Sequence, residues 1–146
     1  MTVSDADILI LDTSIVVDVA KNNRSGQAIL DAYPLTSRSD RPLISVITMG
    51  EILGIAKIQT WTSAKIDSLH ELLSEFVKLD LTTDVVEAYA ELVSLCRTRN
   101  HTMGQQNDMW IAATAKVAGA VLLTGDSGFK WLNSLFIRVE YVPRGK

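Results

Sequence analysis

The sequence predicts an α/β fold in which a central, mainly parallel sheet of four to five strands is covered by helices on both faces. Short apolar segments alternate along the chain with longer segments of helical periodicity. Strands that are apolar throughout are buried on both faces, which is typical of parallel sheets. The 146 residues are 47% hydrophobic and contain no linker or repeat, so we expect residues 1–146 to form a single domain with a sizeable core.

The predicted strands are short runs of mainly β-branched and other apolar residues, each bounded by a helical segment or a turn. The first, with the sequence "ILIL", is apolar at every position, and the last, "FIRVEYV", is a possible fifth strand. In order, these segments are 8–11, 43–47, 77–81, 120–124 and 136–142.

Helices are predicted between the strands from apolar residues spaced three or four apart and from residues that begin or end helices. Thr13 or Ser14 is expected at the start of the first helix, and Pro34 ends the second. Gly119 is a typical residue at the end of the last one. The predicted helices cover residues 14–22, 26–33, 48–59, 62–77, 82–100 and 107–119.

The composition predicts a soluble cytoplasmic protein with no membrane partner. Cys96 is the single cysteine, which excludes an internal disulfide and fits a reducing compartment. No apolar run approaches the roughly 20 residues that span a bilayer, and the acidic start of the chain does not resemble a signal peptide. The net charge of −3 is unfavourable for nucleic-acid binding unless several carboxylates are committed to a metal ion.

Four acidic residues are predicted to meet at one edge of the sheet. Asp12 directly follows the first strand, Glu51 lies in the first turn of the helix after the second strand, and Asp126 is two residues beyond the fourth. Asp108 opens the helix that leads into that fourth strand. Functional sites in parallel sheets lie beyond the carboxyl ends of the strands. Clustered carboxylates stay ionised together only with a compensating cation, and oxygen ligands without His or Cys favour Mg²⁺ or Mn²⁺ over zinc.

Each of these acids except the first also has a plain structural interpretation. Glu51 forms a capping-box pattern with Thr48. Asp108 suits an N-cap or the first turn of a helix, where the helix dipole favours acids. Asp126 suits a turn. Asp12 is harder to explain in this way, because an apolar strand that runs directly into "DTS" is unusual for a turn. The joint placement of the four acids therefore favours a functional site.

Four longer motifs resemble those of PIN-domain ribonucleases, and the chain is most similar to the VapC toxins of bacterial toxin–antitoxin pairs. They occur in the family's order and together cover almost the whole chain, and the last two are more specific than "LDTS" alone. The "MGQQ" before Asn107 departs from many relatives and bears on substrate choice. The motifs are "ILDTSIVVD" (10–18), "ISVITMGEILGIAK" (44–57), "NDMWIAATA" (107–115) and "LLTGDSGF" (122–129).

This resemblance implies a PIN-like α/β/α sandwich and an endoribonuclease that needs Mg²⁺ or Mn²⁺ and acts on single-stranded RNA. It also implies a homodimer and neutralisation by a small VapB-like antitoxin. The family's metal-binding and catalytic acids match Asp12, Glu51, Asp108 and Asp126. Its supporting polar residues match Ser14, Thr124 and Asn107.

Basic side chains near the predicted site are candidates for contacts with RNA. A solvated helix end explains the same residues equally well, because charged residues commonly occupy exposed helix surfaces. The candidates are Arg97, Arg99, His101, Lys116 and Lys130.

Three other functions remain as alternatives. A phospho-accepting receiver domain would require adjacent acids after the first strand and a lysine just after a late strand, whereas this chain has one such acid and Lys130 comes too late. A non-catalytic binding module would have no use for clustered carboxylates that repel phosphate. A PIN-domain nuclease that processes RNA without being a toxin fits the same residues.

Overall fold

The computed structural model of the protein describes residues 3–144, so the first two and last two residues of the predicted domain lie outside the described residues. It confirms the α/β fold and all five predicted strands. The strands are β1 (Leu9–Leu11), β2 (Leu43–Ser45), β3 (Val77–Leu79), β4 (Val121–Thr124) and β5 (Arg138–Tyr141). They form one parallel sheet in the order β3-β2-β1-β4-β5, with β1 at its centre.

The helices within residues 3–144 match the predicted ones to within a few residues at each end, and a 3-10 helix at Ser127–Leu132 is added to them. None of them is both long and apolar enough to cross a membrane. The α-helices are α1 (Thr13–Lys21), α2 (Arg24–Ala32), α3 (Val46–Ile58), α4 (Ser63–Ser74), α5 (Thr83–Thr98) and α6 (Gln106–Ala118).

The alternation of side chains along the central strands divides the core into two layers. Leu9 and Leu11 of β1 face a layer that contains buried side chains of α1 to α4. Ile10 and Leu122 face the opposite layer, which is built from α5, α6 and the 3-10 helix. Successive residues of a strand point to opposite faces, so a strand between two such layers must be apolar at every position. This requirement explains the uninterrupted "ILIL".

The start of α3 differs from the prediction. The predicted strand 43–47 is two residues too long, because Ser45 acts as the N-cap and its Oγ accepts a hydrogen bond from the Ile47 amide at 3.0 Å. Thr48 therefore lies inside the helix, and the predicted capping box with Glu51 is wrong. Glu51 falls in the second turn of α3 rather than in the first, so its carboxylate is not needed at the helix end.

The ends of α1 and α6 show which predicted caps form. α1 begins at Thr13 as expected, but its N-cap is Asp12, whose side chain makes no capping bond. The N-cap of α6 is Gln105, so the N-cap interpretation of Asp108 is wrong and this acid lies in the first turn. Gly119 ends α6 in the left-handed conformation with φ of 62°, as predicted.

Gly26 allows α1 and α2 to pack closely. A Cβ atom at this position would lie 2.1 Å from the backbone oxygen of Asp18 and 2.6 Å from its carbonyl carbon. Both are backbone atoms of the neighbouring helix α1, so no side-chain rotation could relieve the contact. The side chain of Asp18 is buried. The close approach of Gly26 to the Asp18 backbone therefore helps to fix the position of the Asp18 carboxylate.

We predict that Gly26→Ala lowers the free energy of unfolding by about 2 kcal/mol or more, since overpacking forces the backbones apart. For a domain of this size each 1 kcal/mol shifts the melting temperature by about 4 °C, so a scan by circular dichroism would detect the change. The matched control is Gly50→Ala in α3, where an added Cβ meets nothing within 4 Å. There we expect a gain of about 0.5–1 kcal/mol from the higher helix propensity of alanine. Equal effects at both positions would contradict the steric explanation.

Candidate active site

An open cleft of about 450 Å³ lies at the carboxyl ends of the central strands and gathers all four predicted acids. Neighbouring parallel strands end at the same edge, which is why residues far apart in sequence meet there. β1 and β4 are adjacent in the sheet, so the residues that follow them face one another. The lining residues are Asp12, Thr13, Ser14, Val17, Glu51, Ile55, Asp108, Gly125, Asp126, Ser127, Tyr141 and Arg144.

Asp12 is the most deeply placed of these acids, with 4% of its surface exposed. Its Oδ2 accepts hydrogen bonds from Ser14 Oγ and Thr124 Oγ1, each at 2.8 Å. Burial raises the pKa of Asp12 above its ordinary value, and the two hydroxyl groups oppose that rise by stabilising the charged form. The predicted supporting residues Ser14 and Thr124 therefore contact the buried acid directly.

The backbone after β4 fixes the direction of these hydroxyl protons. The amide of Gly125 donates to Ser14 Oγ at 3.0 Å, and the amide of Asp126 donates to Thr124 Oγ1 at 3.0 Å. Each hydroxyl has a single proton, and with an amide already bound to its oxygen that proton is directed to the carboxylate. Asp12 is thus held by a network that links β1, the start of α1 and the loop after β4.

Glu51 is oriented by two side chains from other elements. Thr13 Oγ1 donates to its Oε1 at 2.6 Å, and Asn107 Nδ2 donates to its Oε2 at 3.4 Å. Asn107 was a predicted supporting residue, and the structure gives it this acid as its partner. Thr13 was expected only as a helix-start residue; its position next to Asp12 in "LDTS" is the one sequence signal that could have identified it.

Asp108 experiences the charge of all three other acids. The pKa of Asp108 is raised from 3.8 to about 7. Partial burial contributes most to this rise, followed by the charges of Asp12, Asp126 and Glu51. The ionised form of Asp108 is disfavoured next to the other acids. The cleft therefore holds more negative charge than it can stabilise without a cation.

Asp126 has the structural role that was predicted for it as a turn residue, in addition to its place in the cleft. Its Oδ1 accepts a hydrogen bond from the Gly128 amide at 2.8 Å and caps the 3-10 helix. Asp126 and Asp108 also line a second cleft of about 290 Å³, which continues along the loop that contains Met103 and Gly104. These two acids thus lie between two connected depressions, a geometry that suits an extended ligand passing over them.

The predicted basic rim is only partly brought to the cleft. Lys116 lies eight residues beyond Asp108 on α6, about 12 Å along the helix axis, and lines a different cavity near Phe136. Lys130 packs over the ring of Tyr141, which lines the acidic cleft, with Nζ 4.9 Å from the ring centroid.

The three remaining rim candidates follow or end α5. His101 stacks on Trp131 of the 3-10 helix, with ring centroids 4.2 Å apart. Arg97 and Arg99 are exposed in the last turn and at the C-cap of α5. The structure therefore places Lys130 against Tyr141, His101 against the 3-10 helix, and the two arginines on the exposed end of α5.

The chemistry of the cleft suits a divalent cation that prefers oxygen ligands. Its potential ligands are carboxylates and hydroxyl groups, and Asp108 shows that the acids repel one another without a compensating charge. Within residues 3–144, no group of three or more Asp, Glu, His or Cys side chains is already arranged to hold a metal ion. Mg²⁺ commonly uses one or two carboxylates and completes its shell with water and substrate phosphate, so a closed protein cage is not required.

The sequence matches the PIN domain family over residues 9–133, and the chain belongs to that family. Ribonuclease VapC4 of Mycobacterium tuberculosis is 36% identical over 88 residues, which are 59% of this chain and 67% of the relative.

Solved structures support the same fold. VapBC2 from Rickettsia felis, bound to a DNA fragment from the promoter, has 24% identity and a TM-score of 0.76 over 92% of this chain and 98% of the other. VapBC-5 from M. tuberculosis, a member of the VapBC family of toxin–antitoxin systems, has 22% identity and a TM-score of 0.67 over 94% and 98%. These likenesses confirm the predicted PIN-like architecture.

We predict that Asp108→Asn raises the melting temperature in chelator at pH 8, and that the gain shrinks toward pH 4. The folded pKa of Asp108 is raised to about 7. The contribution of its protonated carboxyl group to stability is therefore present at low pH and is lost as pH rises through 7. Asparagine does not titrate and escapes this loss. The measurement is a series of thermal scans of both proteins between pH 4 and pH 8.

The matched control is Asp84→Asn, because Asp84 is an exposed acid in the first turn of α5. There we expect a small loss from the helix dipole, of about 0.3–1 kcal/mol, and no gain that grows with pH. A similar loss at every pH for Asp108→Asn would show that Asp108 serves α6 as a first-turn acid and that charge crowding is unimportant.

Proposed function

We propose that this protein is a Mg²⁺- or Mn²⁺-dependent endoribonuclease and the toxin of a VapBC-type toxin–antitoxin pair. The observation that supports it most directly is the single cleft lined by four carboxylates, where burial and then the charges of the other three acids raise the pKa of Asp108 to about 7. The similarity to a VapC ribonuclease supports the choice of RNA as substrate. Structural relatives that are toxin–antitoxin complexes support the partner.

In this proposal each acid has a separate role. Asp12 and Asp108 contact the metal directly, Glu51 is a further ligand or the general base, and Asp126 completes the site. When bound, the metal would activate water as the nucleophile and stabilise the charge that develops on the phosphate. Ser14 and Thr124 hold Asp12 in place, and Asn107 and Thr13 orient Glu51.

The substrate would lie along the two clefts that share Asp108 and Asp126. Lys130, which packs over the cleft residue Tyr141, would contact an RNA phosphate, and the stacked pair of His101 and Trp131 offers an aromatic surface beside the 3-10 helix. Aromatic side chains bind single-stranded bases by stacking without requiring a particular sequence. We do not extend this path to Lys116, which lines another cavity.

We predict that the purified protein cleaves single-stranded RNA in Mg²⁺ or Mn²⁺ and that EDTA abolishes cleavage. Asp108→Asn is expected to lower the cleavage rate by about 100-fold or more, the usual cost of losing one essential electrostatic contact. Gel analysis of a labelled RNA measures this, and the thermal scans show that the variant remains folded. Undiminished cleavage in chelator would contradict the metal mechanism, and full activity of Asp108→Asn would contradict the assignment of this acid.

The surface beside the cleft suits a partner that is both apolar and basic. Ile55 lines the acidic cleft, and Ile58 lies one turn further along the same face of α3 with 84% of its surface exposed. An amphipathic helix of an antitoxin could bind there while an Arg or Lys from its C-terminal segment enters the cleft, pairs with the carboxylates and blocks metal binding. A homodimer is a further expectation from the family resemblance.

We predict that the protein encoded beside this gene co-purifies with the chain and inhibits its cleavage of RNA. Ile58→Glu should weaken that binding by about tenfold or more, since it places a charge in an apolar contact, while leaving the melting temperature unchanged. Val86→Glu is the control, because Val86 is an exposed apolar residue of α5 on the other side of the sheet. A chain that cleaves RNA but meets no inhibitor would be a PIN-domain nuclease that is not a toxin.

A further inference from the structure

Arg144 provides a positive charge at the acidic cleft. Among the described residues that line the cleft it is the only cationic side chain. Its side chain remains 48% exposed, so a ligand can reach it. None of the motifs that predicted the acidic site includes this residue, because it lies in the segment after β5.

Two hydrogen bonds to Asp18 fix the guanidinium group. Nε donates to Asp18 Oδ2 at 2.9 Å and Nη2 donates to Oδ1 at 2.6 Å, which is the bidentate geometry of a strong ion pair. Asp18 is only 2% exposed and receives a further hydrogen bond from Asn23 Nδ2 at 3.1 Å. A buried carboxylate requires such partners, so Asp18 holds Arg144 in one orientation.

The chain that carries Arg144 is also held in place. The amide of Val142 donates to the backbone oxygen of Thr124 at 2.8 Å, which continues the pairing of β4 with β5. The aliphatic part of the Arg144 side chain crosses Gly125, where a Cβ atom would lie 2.7 Å from Arg144 Cγ. Gly125 therefore leaves the space that brings the guanidinium group toward the acids.

This arrangement leaves part of the guanidinium group available to a ligand. Both hydrogen bonds of Arg144 to Asp18 are made by Nε and Nη2, and Nη1 donates to no atom of the described residues. The negative charges of Asp12 and Asp126 reach Arg144, although its strongest interaction is with Asp18. An incoming anion would find one fixed cation in a cleft that is otherwise negative.

We propose that Arg144 binds a phosphate of the RNA substrate through its free Nη1 donors, next to the carboxylates. The inference rests on the proposed ribonuclease function and adds a substrate-binding residue to it. A phosphodiester approaching four carboxylates is repelled, and a pre-oriented guanidinium group offsets that repulsion at small entropic cost. Asp18 is the positioning residue, since it acts through Arg144 and does not meet the RNA.

The test is the binding of a fluorescent, mixed-sequence, single-stranded RNA to proteins that carry Asp108→Asn, so that binding is measured without cleavage. Adding Arg144→Gln should weaken binding by about tenfold. It should also reduce the slope of log affinity against log salt by about 0.7, the value for one phosphate contact on a single strand. In the otherwise unchanged enzyme, Arg144→Gln should raise KM more than it lowers kcat.

Two further variants separate binding from folding. Asp18→Asn combined with Arg144→Gln removes both charges of the pair, avoids an unpaired buried carboxylate, and should show the same loss of affinity and slope. Arg138→Gln is the matched control. Arg138 also pairs with an aspartate, Asp7 at 2.8 Å, but it lies at the amino end of β5, whereas Arg144 follows the carboxyl end. It should leave RNA affinity and salt slope unchanged.

The outcomes distinguish this inference from the proposed function. If Asp108→Asn binds RNA and the added Arg144 substitutions lower the melting temperature without changing affinity or salt slope, Arg144 only neutralises Asp18 and the inference is overturned, while the ribonuclease proposal stands. If the original protein neither binds nor cleaves RNA, both are overturned. An equal loss for Arg138→Gln would show a general charge effect and would also overturn the inference.

Discussion

The hydrogen bonds that Ser14 and Thr124 donate to Asp12 join the core of the protein to its cleft. A carboxylate at the end of a fully buried strand is costly to ionise, and it stays usable only if donors replace the water that it has lost. One donor, Ser14, lies two residues along the chain at the start of α1, and the parallel sheet brings the other, Thr124, from the end of β4. Backbone amides then orient both donors, so the geometry of the site follows from the pairing of β1 with β4.

A second constraint is the concentration of negative charge. Asp12 is supported by hydroxyl groups, Glu51 by Thr13 and Asn107, and Asp126 by the amide of Gly128. Asp108 has the least support, and its pKa records the cost. Function of this kind is commonly paid for by local destabilisation. The neutral hydrogen-bond donors around the other acids oppose that destabilisation, although burial still raises the pKa of Asp12.

Much of the fold could be predicted because local sequence and global packing agree. Uninterrupted apolar strands require cover on both faces, and this requirement predicts the parallel sheet. The rule that functional sites lie beyond the carboxyl ends of strands predicts the common position of the acids. The start of α3 was misplaced because Val46 and Ile47 are β-branched residues that suit a strand equally well, and the cap of Ser45 decides between the two. Propensity alone does not contain that information.

The residues that were missed at the site are those whose role depends on distant partners. Thr13 reaches Glu51 across 38 positions of the chain, and Arg144 reaches Asp18 across 126. No spacing rule connects such pairs, because the topology of the sheet brings them together. Ser14, Thr124 and Asn107 also act through another side chain, but the family resemblance had identified them, whereas Thr13 and Arg144 required the structure.

The bond between Thr124 and Asp12 spans 112 positions, and this separation has a consequence for synthesis of the protein. β1 and the first helices emerge from the ribosome long before β4, whereas a domain generally folds as a unit. Until β4 pairs with β1, Asp12 lacks one of its two hydroxyl donors and the cleft lacks one wall. Because the site draws on both early and late parts of the chain, a growing polypeptide contains its acids without yet containing their arrangement. The arrangement of the acids is therefore complete only when β4 has joined the sheet, after most of the chain has been synthesised.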